Sequence, residues 1–187
     1  MLPGRTSPHP RFTRDWTTEH VGLWLSLLGH FSWQPDVHGL EIGCFEGRSS
    51  LFFLKNVLQH RTSSLTCIDP RPQPAFSSNI RPWQHKIQLI QQRSQEVLWD
   101  GSFAPDSFQF IYIDGNHAAP SVLTDAVLCW PLLVPGGIMI FDDYLWVSNA
   151  PEVPQTMPRI AIDAFLNVFR HKIKLLHRGW QVAIKKV

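Results

Sequence analysis

Residues 40–50, LEIGCFEGRSS, constrain the fold most. An apolar strand runs through Glu41, Gly43 and Gly47 straight into an apolar helical stretch, leaving no room for a long loop between them. Strand, glycine turn and helix start in succession put unpaired helix N–H groups beside backbone that carries no side chain, so an anionic or polar ligand group can approach closely. A nucleotide-like ligand is expected at this turn.

The rest of the chain alternates around that unit. SLTCID at 64–69 is a second apolar strand ending in an acid, followed by a Pro-rich segment. KIQLIQQ at 86–92 alternates apolar and polar residues, as a strand near a sheet edge does, whereas FQFIYID at 108–114 is almost continuously apolar and should be central and parallel. GGIMIF at 136–141 is another buried strand, closed by Asp142 and Asp143.

Between the strands, residues 15–31 place Val21, Trp24, Leu25 and Leu28 at helical spacing, with Thr17 or Thr18 available as a cap. Residues 120–133 set Val122, Ala126, Val127 and Trp130 on one face before Pro131, and 158–170 do the same with Ala161, Phe165, Val168 and Phe169. KIKLL and WQVAIKK around Arg178 and Gly179 read as a closing hairpin. The alternation predicts a parallel α/β sheet with helices on both faces and ligands beyond the carboxyl ends of its strands.

At 187 residues and 44% hydrophobic content the chain supports one sizeable core. We expect a proline-rich arm at 1–14, mobile or draped, and a single domain at 15–187. The 17 Lys and Arg against 15 Asp and Glu are scattered, so no footprint for a nucleic-acid backbone stands out. Cys44, Cys67 and Cys129 lack CxxC spacing and read as buried small hydrophobes rather than as a disulfide or zinc set. The N-terminus has no apolar h-region and no later run approaches the roughly 20 apolar residues of a membrane span, so a cytoplasmic protein is expected. The connection at 144–158 reads as a lid with Trp146 as its contact residue. Trp16, Trp24 and Trp33 read as core, the alternative being that one of them walls a pocket.

Together these residues resemble the class I S-adenosylmethionine-dependent methyltransferases, and within them the small catechol-type and macrolide-sugar O-methyltransferases. The specific parts are E-x-G-x-x-x-G-x-S at Glu41 to Ser49, the acid Asp69, and IYIDGNH with LLVPGGIMIFDDY. The spacing of Gly43 and Gly47 departs from the G-x-G-x-x-G of dinucleotide sites. The resemblance implies a three-layer Rossmann-like sandwich whose mostly parallel, seven-stranded sheet has an antiparallel last strand. It implies that Glu41, Gly43, Cys44, Phe45, Gly47 and Ser49 lie along the methionine part of S-adenosylmethionine. Asp69 would take the ribose hydroxyls, or else cap a helix; Arg93 and Ser94 would border the adenine, with Ser94 equally readable as a helix cap.

Asp114 closes one strand and Asp142 with Asp143 the next, and adjacent strands lie about 4.8 Å apart, so three carboxylates should meet on one rim. By resemblance Asp114, Asp142 and Asp143 hold Mg2+, with Asp114 also at the cofactor, although the third position is Asn in the catechol-type enzymes. The alternative is that only one of the pair faces the pocket and the sulfonium supplies the positive charge. His117 stands where those enzymes carry a proton-accepting lysine, and its near-neutral pKa suits a general base. The expected reaction is methyl transfer to a hydroxyl of a small molecule. A metal-independent N- or O-methyltransferase and a non-catalytic cofactor-binding domain are the alternatives, and a homodimer is one way to cover the pocket.

Overall fold

The structure, a computed structural model, describes residues 9–147 and 157–187. Its elements follow the expected alternation: α1 Val21–Leu28, β1 His38–Ile42, α2 Arg48–Asn56, β2 Ser64–Ile68, α3 Ala75–Ile80, β3 Ile87–Ile90, α4 Ser94–Trp99, β4 Phe108–Ile113, α5 Ala119–Cys129, β5 Leu133–Phe141, α6 Pro158–Phe169, β6 Ile173–Arg178 and β7 Val182–Lys186. The seven strands form one sheet in the order β3-β2-β1-β4-β5-β7-β6. Strands β1 to β5 pair in parallel, while β7 runs antiparallel to both β5 and β6.

The near-continuous apolar run of β4 is explained by its place between β1 and β5. Alternate side chains serve opposite layers. Ile111 and Ile113 pack with α4, α5 and α6, whereas Phe110 and Tyr112 pack with α1, α2 and α3. Trp24 anchors the second layer. It is fully buried, with ring centroids 5.1, 5.0 and 5.3 Å from those of Phe52, Phe53 and Tyr112. Each such pair contributes about 0.5–1.5 kcal/mol beyond its buried area.

Several local readings shift. The first helix is a single eight-residue element flanked by 3-10 turns, and Asp15 rather than Thr17 or Thr18 caps the leading turn, accepting the Thr17 and Thr18 N–H groups at 3.2 and 3.0 Å. Leu25, Val127 and Val168 face outward. Each is next in sequence to an inward anchor, Trp24, Ala126 or Phe169, and therefore lies about 100° round its helix. Of the three tryptophans only Trp24 is core; Trp16 and Trp33 are exposed. The cysteines are buried and free.

The described part of the N-terminal arm is draped over α3 and the turn before α2. Arg11 N–H donates to Asn79 Oδ1 and Asn79 Nδ2 returns a bond to Arg11 O, both at 2.8 Å. The Thr13 N–H and hydroxyl both donate to the Glu46 carboxylate, at 2.7 and 2.8 Å. Residues 1–8, and residues 148–156 of the expected lid, lie outside the described residues. Among the described residues no helix is long and apolar enough to cross a membrane.

Candidate active site

The sheet's carboxyl ends are brought level by one ladder that continues past the strands. Gly43 N–H donates to Ile68 O, Asp114 N–H to Ile42 O and Asp142 N–H to Ile113 O, at 2.9, 2.8 and 2.9 Å. Gly43 permits this closeness: its φ is +84°, and a Cβ there would stand 2.1 Å from the Asp114 carbonyl oxygen. Gly47, at φ +80°, turns the chain into α2 in the left-handed conformation that suits glycine.

A cavity of about 940 Å³ opens over this edge. Gly43, Cys44, Phe45, Ser49, Asp69, Arg93 and Ser94 line it on the β1–β3 side, and Asp114, His117, Asp142 and Asp143 on the β4–β5 side. Glu41 and Gly47 are not among its lining residues. Glu41 sits behind the turn, fully buried, and accepts bonds from Ser49 Oγ at 2.5 Å, from Ser50 Oγ, and from Cys67 Sγ at 3.2 Å. Burial pushes its carboxyl up to about 7, against the lowering effect of those donors.

Asp69 braces the glycine turn. Its Oδ2 accepts the Cys44 and Phe45 N–H groups at 3.0 and 3.1 Å, and its Oδ1 accepts Arg71 N–H at 2.8 Å. With about four acceptor sites on a carboxylate, room remains for a ligand hydroxyl. Phe45 takes a left-handed φ of +46° and its ring stands 5.5 Å from that of Trp16, which alone of Trp16, Trp24 and Trp33 lines the cavity.

On the other rim Tyr112 ties two acids together, its hydroxyl meeting Asp142 Oδ2 closely and Asp114 Oδ2 at 3.2 Å. Gln181 Nε2 also donates to Asp142 Oδ2, at 2.9 Å, while Gln181 Oε1 accepts from Trp24 Nε1 at 2.8 Å. Burial raises the Asp114 carboxyl well above its ordinary range, and the charges of Asp142, Asp143 and Glu41 add to this. Asp142 is also raised, chiefly by burial. Burial and the same acids keep the Tyr112 phenol protonated.

Asp143, at a left-handed φ of +58°, turns to His117, whose Nε2 lies 2.6 Å from Asp143 Oδ2. This bond raises the imidazole's pKa, opposed by burial. The Trp146 ring lies 4.7 Å from that of His117 and also lines the cavity. Three mutually repelling carboxylates have the donor chemistry of a hard divalent cation. Among the described residues, however, no group of three or more acid, His or Cys side chains closes around a metal position as it stands. Asp143 gives Oδ2 to His117, and its Oδ1 is the oxygen left to face a cation.

A family model described as a methyltransferase domain matches residues 40–144. The chain belongs to that methyltransferase family. The match spans the glycine turn, Asp69, Asp114, His117 and both terminal acids of β5. An uncharacterized protein of Acanthamoeba polyphaga mimivirus is 26% identical over 153 residues, which is 77% of this chain and 67% of that protein. Among solved structures, a Corynebacterium glutamicum protein is 19% identical with a TM-score of 0.69, covering 93% of this chain and 83% of that one. The MycE methyltransferase of the mycinamycin pathway, solved with Mg and SAH, is 14% identical with a TM-score of 0.68, covering 92% of this chain and 51% of that one. At these identities the solved structures speak for the fold alone, a Rossmann-like sandwich that this methyltransferase shares with them.

Sequence reasoning passed over four residues in and around the methyltransferase's cavity: Tyr112, Gln181, and the pair in which Gln95 Nε2 donates to Asp125 Oδ1 at 3.0 Å. A signal existed for two of them. Tyr112 lies two residues before Asp114 and so shares its side of the strand, and Gln181 is a lone amide between Trp180 and the apolar start of the final strand.

Proposed function

We propose that this methyltransferase transfers the methyl group of S-adenosylmethionine to a hydroxyl of a small molecule, with His117 as general base. The observation that carries the reading is the 2.6 Å His117–Asp143 pair on the rim of the same cavity whose other end is the Gly43 turn. Bound S-adenosylmethionine supplies a methyl group on a positively charged sulfur.

In this reading the N–H groups of the first turn of α2 face the cofactor's carboxylate, where the helix dipole contributes about 0.3–1 kcal/mol. Asp69 accepts from the ribose, and Arg93 and Ser94 border the adenine. With Nε2–H held by Asp143, Nδ1 is the basic nitrogen of His117, and Asp143 stabilises the imidazolium that forms once the acceptor's proton has been taken. Trp16, Phe45, Trp146 and Trp180 wall the cavity with aromatic surface suited to an organic acceptor.

Asp114, Asp142 and Asp143 would hold a divalent cation such as Mg2+, which lowers the pKa of a bound hydroxyl. The engagement of Asp143 by His117 favours a second reading, transfer without metal, in which the histidine pair alone manages the proton.

Labelled methyl transfer from S-adenosylmethionine to a panel of phenols, sugars and other alcohols tests both. Turnover abolished by a chelator and restored by Mg2+ supports the metal reading, and unchanged turnover in chelator with Asp142→Ala removes it. Cofactor binding with no product across the panel would leave a binding domain without transfer.

A further inference from the structure

Asp125 lies on α5, outside the reacting rim, and is only 1% exposed. Its Oδ1 accepts two bonds, from Ser94 Oγ at 2.7 Å and from Gln95 Nε2 at 3.0 Å. Both donors stand at the start of α4, and both line the cavity at the β3 end, with β2, β1 and β4 between them and β5. A buried acid that touches no ligand therefore holds two side chains that can.

Burial pushes the Asp125 carboxyl up to about 6, opposed by the bonds from Ser94 and Gln95, so at neutral pH the ionised form prevails. An ionised carboxylate only accepts hydrogen bonds. Facing a primary amide, it admits the NH2 end and rejects the carbonyl end, which fixes an orientation that would otherwise be free to flip. Gln95 Nε2 is accordingly turned to Asp125, and Oε1 takes no bond from any group among the described residues. Ser94 spends its single proton on the same oxygen, and only its lone pairs are left for the cavity. One buried charge thus converts two ambivalent side chains into two acceptors.

We propose that Asp125 is a positioning residue that makes this end of the cavity read a donor, selecting a 6-aminopurine over a 6-oxopurine. The inference rests on the cavity being the S-adenosylmethionine site. A purine whose 6-position carries an amino group offers hydrogens to Gln95 Oε1 and Ser94 Oγ. A 6-oxo group would set oxygen against oxygen, and turning Gln95 to meet it would bring the amide oxygen against the Asp125 carboxylate, leaving buried polar groups unpaired.

The test is equilibrium binding of S-adenosylhomocysteine and S-inosylhomocysteine to the full chain, wild type and Asp125→Asn. Wild type should prefer the adenosyl ligand by at least about tenfold, since a site built around a hydrogen bond rejects the analogue that cannot make it. Asp125→Asn, which can present its own NH2 and so release Gln95 to flip, should reduce that ratio to about threefold or less, mainly by improving the inosyl ligand. Equal weakening of both ligands in Asp125→Asn marks a merely structural residue and overturns the proposal, as does an unchanged ratio. Should Asp125→Asn fail to fold by circular dichroism, Gln95→Ala reads the same ratio at a partly exposed position, and an unchanged preference there overturns the proposal. Wild type that binds both ligands alike defeats this inference alone, whereas wild type that binds neither defeats the cofactor reading beneath it.

Discussion

At the β1 end of the cavity the wall is the backbone of a glycine turn whose Cys44 and Phe45 amides are braced by Asp69, whereas at the β4–β5 end it is four titratable side chains held by Tyr112, Gln181 and one another. The first end owes its shape to what is missing, a Cβ at Gly43. The second owes its character to charge, three acids that repel and one imidazole that compensates. The two ends should fail differently: the backbone end through sterics and stability, the side-chain end through chemistry with the fold intact.

The largest expected effect is at the charged end. His117→Ala should lower kcat by about 10²–10⁴-fold while S-adenosylhomocysteine still binds within about twofold of wild type. Single-turnover kinetics beside equilibrium binding make the comparison, and near-wild-type turnover would remove His117 from the proton path.

Next comes the backbone end. Gly43→Ala should cost about 2–5 kcal/mol through left-handed strain and the clash with the Asp114 carbonyl, and should abolish cofactor binding. Urea unfolding with ligand titration reads both, and a stable, binding-competent variant would break the contrast between the two ends.

The smallest effect sharpens the contrast, because one titratable group lies behind the backbone end. The Glu41 carboxyl is raised from 4.5 to about 7 in the fold, so its contribution to stability is present in full below pH 4.5 and is lost as pH rises through 7. The loss is about 3 kcal/mol at most. Glu41→Gln stays neutral and should not share it. The difference in unfolding free energy between wild type and Glu41→Gln, measured at pH 5 and pH 8, isolates this residue from the other raised acids. A difference that does not change with pH would show that the Ser49, Ser50 and Cys67 donors hold the charge at no cost.

The same division explains what could be read in advance. The order of elements, the central place of FQFIYID, the edge position of KIQLIQQ and the closing hairpin follow from hydrophobic period, because a strand covered on both faces must be apolar throughout. The glycine turn was legible because φ and closeness exclude other residues there. Side-chain roles were less so. Glu41 reads as a cofactor residue from its motif, yet it faces the serines of α2, since a strand residue's face is set by register and not by rank in a motif. Asp69 reads as a ligand acid and also braces the turn. The link from Asp125 to Ser94 and Gln95 spans helices distant in sequence and leaves no local pattern at all.

The chain of bonds from Trp24 through Gln181 to Asp142 has a consequence for assembly of the site. The side-chain and turn bonds that brace the glycine turn, from Cys44, Phe45 and Arg71 to Asp69 and from Gly43 to Ile68, all fall within residues 43–71. Asp142 has one of its oriented partners on the last turn of the sheet, and that partner rests on the first helix. The glycine-turn end therefore closes through bonds local in sequence, whereas the carboxylate end waits on the last hairpin. That rim is fully braced only once α1 and the final hairpin have both packed.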